Sequence, residues 1–293
     1  MDAPATARGS SNVSSFTVAQ AITIGPMEVQ VRRSRRAHRE VVRGGVALSI
    51  RDNGREAPAV VLLTGIGTPQ GAWDRVVAQL DDRYRIITFD YRGHGRSSAA
   101  PDYSFDAFLG DLRAVVENTS PRDPLLCGWS FGADLAIWYG ADHPQTISGV
   151  IALDGGIPAE PMRLDEDQLR RQRDGAVGRA TRRLMRMLGA GVHLTTDELV
   201  ALIHDTHRRR TKILEAYRRL DVPVSVALGS RPTRSPDGDR SFEAWRAGAE
   251  QLVAAQPAVD VTWLDSDHAI PLRKPDEVVA LVDAAALRGR GTS

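Results

Sequence analysis

Several absences narrow the field first. The chain has one cysteine, Cys127, so no internal disulfide can form and a cytoplasmic location is expected. Cys127 lies in an apolar run and reads as a small core residue, not a reactive thiol. No apolar stretch approaches the roughly 18 residues that span a bilayer. The mildly apolar patch from Phe16 to Ile24 has no basic lead-in, so a cleaved secretion signal is not expected. A net charge of +1 gives no field that would recruit a polyanion, so nucleic acid is not implied. There is no internal repeat, and no metal or cofactor is implied. Oligomeric state is left open.

What is present is a globular composition. Of the 293 residues, 42% are hydrophobic and 26% charged, enough for a full core. Residues 1–40 read as a poorly ordered tail, ending in a cluster of Arg32, Arg33, Arg35, Arg36 and Arg39. From Val41 the pattern changes. Val46–Ile50 alternates as a strand and ends at the turn Asp52-Asn53-Gly54. Ala59–Leu63, Tyr84–Phe89, Leu125–Trp129, Gly149–Leu153, Val222–Gly229 and Val259–Leu264 are strand-like runs, most of them continuously apolar. Helical spacing separates them, at Gly71–Leu80, Phe105–Glu117 and Phe242–Ala255, with Pro275 opening a last helix. Strands alternating with helices predict a mostly parallel α/β sheet flanked by helices. Residues 155–220 break the rhythm. They are helix-rich and arginine-rich, with a helix start at Thr195-Thr196-Asp197-Glu198, and read as an inserted helical cap between two core segments, 41–154 and 221–293.

The sequence Gly128-Trp129-Ser130-Phe131-Gly132 closes one apolar run and opens another. A serine between glycines at this strand-to-helix junction reads as a sharp turn. It would push the Ser130 hydroxyl out of the sheet, toward the free N–H groups of the new helix. Here the chain resembles the α/β-hydrolase superfamily, whose nucleophile elbow is G-x-S-x-G. Thr64-Gly65-Ile66-Gly67, the loop Asp90-Tyr91-Arg92-Gly93-His94-Gly95-Arg96-Ser97 and the late Asp267-His268 complete the likeness, which spans about Val41 to Leu287.

The resemblance implies a cofactor-independent serine hydrolase. Ser130 is the nucleophile and His268 its base. The acid that orients the histidine stays open between Asp154, at the end of the sixth strand, and Asp239 or Asp237, in the loop after the seventh. The family more often places the acid after the seventh strand, where Gly229-Ser230-Arg231-Pro232 has no carboxylate. By resemblance the oxyanion donors are the N–H groups of Ile66 and Phe131, with Gly65 and Trp129 beside them. Thr64 stands where the family more often has histidine. Trp73 and Trp129 read equally as packing or as lining of an acyl pocket. The implied partner is a small-molecule ester, thioester or lactone. Acyl transfer, C–C cleavage or cyclisation by the same residues, or a non-catalytic binding role, are the alternatives.

Overall fold

The computed structural model describes residues 37–159, 164–233 and 238–290. An antiparallel hairpin opens the fold: β1 (Ala37–Arg43) and β2 (Val46–Asp52) turn through Gly44 and Gly45, both at positive φ. The strand therefore begins inside the stretch expected to be tail. Its register with β2 starts at Ala37↔Asp52, and backbone pairing outweighs the polar, arginine-rich local composition. Residues 1–36 lie outside the described residues.

The remaining strands are β3 (Ala59–Leu63), β4 (Arg85–Phe89), β5 (Leu125–Trp129), β6 (Gly149–Leu153), β7 (Val224–Gly229) and β8 (Asp260–Leu264). They complete an eight-stranded sheet in the order β1-β2-β4-β3-β5-β6-β7-β8. β2 pairs antiparallel with β4, and every pairing from β4 to β8 is parallel. The parallel centre is covered on both faces, which explains why β3, β5 and β6 are apolar throughout and buried at every residue.

Side-chain alternation along β3 separates two cores. Val60 and Leu62 face α1 (Asp74–Leu80) and the late helices, meeting Val76, Val77, Val278 and Val282. Val61 and Leu63 face α2 (Phe105–Thr119) and α3 (Phe131–Asp142), meeting Phe108, Leu112 and Phe131. Cys127 is buried in the first of these cores. Trp73 ends a short 3-10 turn, Gln70–Trp73, and is fully buried there, so it packs and does not line a pocket.

Between β6 and β7 the described residues form four helices: α4 (Glu166–Asp174), α5 (Ala176–Met187), α6 (Thr196–Arg210) and α7 (Ile213–Tyr217). α6 starts at Thr195 through a reciprocal capping box with Glu198. Many arginines of this stretch are held by acids: Arg170 by Asp197 and Glu166, Arg182 by Asp174, Arg209 by Asp106, Arg210 by Asp134. The chain closes with α8 (Gly238–Ala255), α9 (Ile270–Arg273) and α10 (Pro275–Arg290).

Candidate active site

At the junction of β5 and α3 the backbone turns with Ser130 at φ 56, ψ −117, outside the usual regions for a residue with a side chain. The turn closes only because its neighbours lack side chains. A Cβ on Gly128 would lie 2.1 Å from the Gly132 carbonyl oxygen, and one on Gly155 would lie 2.4 Å from the Ser130 carbonyl oxygen. The Ser130 N–H donates to the Leu153 carbonyl at 2.8 Å, tying the turn to the end of β6.

His268 follows β8 and faces this turn. Its Nε2 lies 3.1 Å from Ser130 Oγ, and its Nδ1 lies 2.5 Å from Asp154 Oδ2. One tautomer satisfies both contacts: Nδ1–H donates to the carboxylate and Nε2 keeps its lone pair toward the hydroxyl. Asp154 directly follows β6, at φ 44, and is buried. Burial by itself would raise its carboxyl pKa. The His268 hydrogen bond and charge, the Gly229 N–H at 2.9 Å and the Trp245 side chain outweigh burial, and the net shift is downward. The carboxylate therefore stays ionised beside the imidazole.

The structure thus brings Ser130, His268 and Asp154 together across 138 positions of sequence. Asp237 lies outside the described residues. Asp239 falls in the first turn of α8, with its side chain outside what is described. Trp129, expected beside the substrate, is instead buried. Its indole N–H donates to the His268 carbonyl at 2.7 Å, so it holds the histidine loop from beneath.

Gly65 runs close along Ser130: a Cβ there would lie 3.3 Å from Ser130 Cβ. That closeness sets the Gly65-Ile66 backbone beside the serine. Phe131 is the first residue of α3, so its N–H is one of the helix's unsatisfied donors. Among the described residues neither N–H has an acceptor in the protein. The Ile66 side chain packs against Leu169 of α4 and Leu199 and Val200 of α6, which brings the inserted helices beside the serine.

Some of the surroundings carried no sequence signal. Trp245 of α8 reaches Asp154, and the Arg210 guanidinium stacks over its ring, 5.0 Å from the centroid. Arg210 is itself paired with buried Asp134 at 2.7 Å. A chain of contacts therefore runs from α3 through α6 and α8 to the acid. Isolated aromatic and arginine residues in amphipathic helices give no hint of such partners. No group of acidic, cysteine and histidine residues able to hold a metal occurs among the described residues.

A family model described as the alpha/beta hydrolase fold matches residues 58–282. A 3-oxoadipate enol-lactonase from Acinetobacter baylyi is 35% identical over 99 residues, covering 33% of this chain and 37% of that protein. The lipase LipV of Mycobacterium tuberculosis is 27% identical over 255 residues, covering 81% of this chain and 97% of its own. The chain thus spans about a third of the lactonase's length and nearly all of the lipase's. Among solved structures, one from a study of Nitrososphaera gargenis carboxylesterases superposes with a TM-score of 0.67 at 18% identity, covering 87% of this chain and all (100%) of the other. At that identity the likeness speaks for the fold alone.

Proposed function

The chain belongs to the α/β hydrolase fold family; from that premise we propose that it is an enzyme, a serine hydrolase acting on an ester, thioester or lactone of a small organic molecule. The observation that carries this reading is His268, with one ring nitrogen at 3.1 Å from Ser130 Oγ and the other at 2.5 Å from Asp154. A serine hydroxyl attacks a carbonyl only when a base takes its proton, and an imidazole becomes a better base when a carboxylate stabilises its charged form.

In the proposed mechanism Ser130 Oγ attacks the substrate carbonyl carbon while His268 Nε2 accepts its proton. Asp154 holds the ring and balances the imidazolium. The N–H groups of Ile66 and Phe131 stabilise the oxygen that becomes negative. The tetrahedral intermediate collapses, His268 returns the proton to the leaving oxygen or sulfur, and an acyl-serine remains. Water, deprotonated by the same imidazole, then releases the acid. The helices of residues 155–220 serve as a cap: Leu169, Leu199 and Val200 lie against Ile66, where a bound acyl chain would pass. The named relatives include a lactonase and a lipase, which supports carboxylic ester and lactone substrates.

A fluorophosphonate probe should label the folded protein at Ser130, and Ser130→Ala should abolish both labelling and turnover of a p-nitrophenyl ester. Absence of labelling in a folded sample rejects the proposal. Comparing products with and without an added alcohol or amine acceptor separates hydrolysis from acyl transfer.

A further inference from the structure

An oxyanion donor works only if its N–H is held within a few tenths of an ångström of the place where negative charge develops. The loop that carries Ile66 has one turn bond of its own, from the Thr68 N–H to the Gly65 carbonyl at 3.3 Å. Ile66 lies between Gly65 and Gly67, and Gly67 sits at φ +77, where only glycine is at ease. Thr64 gives no support through its side chain: Oγ1 is buried, with no hydrogen-bond partner among the described residues. Something else has to fix the loop.

Three hydrogen bonds do so, and all come from one five-residue stretch, Asp90–His94. The Tyr91 hydroxyl donates to the Thr64 carbonyl at 3.1 Å. The Gly67 N–H donates to His94 Nε2 at 3.0 Å. The Gln70 N–H donates to Asp90 Oδ1 at 2.8 Å. Ile66 lies between the first two anchor points. His94 has no freedom in its role. Its Nδ1 is 2.9 Å from the Arg92 carbonyl, which can only accept, and its Nε2 meets an N–H, which can only donate. A single neutral tautomer satisfies both. The ring is fully buried, set edge-on to Tyr91 and Phe108.

The stretch is itself anchored. The Arg92 guanidinium makes two bonds of 2.6 Å to Asp111 of α2 and a third, of 2.8 Å, to the Asp102 carbonyl. A paired, buried fork of this kind fixes the backbone it hangs from. The path of restraint thus runs from α2 through Arg92 to His94 and Tyr91, and on to both ends of the Thr64–Gly67 segment.

We propose that His94 and Tyr91 are positioning residues that hold the Ile66 N–H in the oxyanion hole, taking over the bracing that the Thr64 side chain does not supply. The inference rests on the serine-hydrolase reading above and adds to it a second element of the chain, the Asp90–His94 stretch, that acts on the transition state without touching substrate.

The test uses the full chain, a chromogenic ester and a trifluoromethyl ketone of matched acyl group. The hemiketal formed by the ketone puts a negative oxygen where the tetrahedral intermediate has one. In His94→Phe, which keeps a buried ring and removes the acceptor, kcat should fall by about ten- to a hundredfold, part of the loss seen when a whole donor is removed. KM should barely move, and the ketone should bind more weakly by a factor similar to the loss in kcat. His94→Gln, which offers an acceptor to the Gly67 N–H, should recover most of the loss. Tyr91→Phe should shift kcat and ketone affinity the same way by a smaller factor, and it carries the test if His94→Phe does not fold. Folded variants with unchanged kcat and ketone affinity overturn the proposal. So does a loss in His94→Gln equal to that in His94→Phe and matched by a fall in thermal stability. Ser130→Ala keeps the two readings apart. If it retains turnover, the serine-hydrolase reading fails; if it is dead while the His94 and Tyr91 variants match wild type, only the brace fails.

Discussion

Asp154 Oδ2 lies 2.5 Å from His268 Nδ1, so the carboxylate that faces the imidazole follows β6 and not β7. At its last residue β7 offers a backbone group instead: the Gly229 N–H donates to the other carboxylate oxygen of Asp154 at 2.9 Å. Asp154→Asn should therefore lower kcat by about 10⁴, because the amide no longer favours the productive tautomer or balances the imidazolium. Asp237→Asn and Asp239→Asn should leave kcat unchanged. Steady-state kinetics on the three variants decides among them.

The Trp245 side chain helps keep the Asp154 carboxyl below the ordinary range, against the upward push of burial. Removing a donor to a carboxylate raises its pKa. In Trp245→Phe the Asp154 carboxyl pKa should accordingly rise, while activity at neutral pH falls only modestly. A carbon-13 NMR titration of the Asp154 carboxyl that is the same in the variant and in wild type would show that the indole contributes packing alone.

The elbow's glycines allow a prediction about folding. The Cβ of Gly128→Ala would lie 2.1 Å from a backbone oxygen of Gly132, which cannot move without breaking α3. Destabilisation by about 3 kcal/mol or more should follow, seen as loss of soluble protein or a lower urea midpoint. Gly71→Ala, whose Cβ would meet only a side-chain oxygen at 3.6 Å, is the control that should stay near wild type.

His94 makes stability depend on pH. Burial depresses its pKa to about 4 from 6.5, the Arg92 carbonyl and Asp90 pull upward, and His193 and Arg173 add to the depression. Between those two values the unfolded chain binds a proton that the folded chain refuses. The His94 contribution is thus fully present above about pH 6.5 and shrinks as pH falls toward 4, by about 3 kcal/mol in all. Urea unfolding at pH 7 and pH 5 should show a smaller difference in His94→Gln than in wild type.

Cys127 is buried, and burial alone pushes its thiol pKa upward. Iodoacetamide should leave activity intact on the native protein and modify Cys127 only after denaturation, as mass spectrometry of the two samples would report.

Much of this molecule is readable along the chain. The alternation of apolar strand runs with helical spacing identifies the parallel sheet, because burial on both faces leaves no room for polar residues in β3, β5 and β6. Gly128-x-Ser130-x-Gly132 marks the elbow because a turn that tight excludes side chains around it. Where local composition misleads, a long-range partner outweighs it: Ala37–Glu40 reads as polar tail yet pairs with β2. Trp129 reads equally as packing or pocket lining, and its N–H donates to the His268 carbonyl.

The choice of acid could not be made from order alone, since Asp154, Asp237 and Asp239 all fall between Ser130 and His268. Nor does any spacing rule connect Arg92, Tyr91 and His94 with the loop they hold. Short-range patterns determined the sheet, the elbow and the kinds of group at the site, because backbone sterics and burial act on neighbours in sequence. Only the folded chain decided which carboxylate meets His268 and what holds Ile66, because hydrogen bonds reach about 3 Å through space and take no account of distance along the chain.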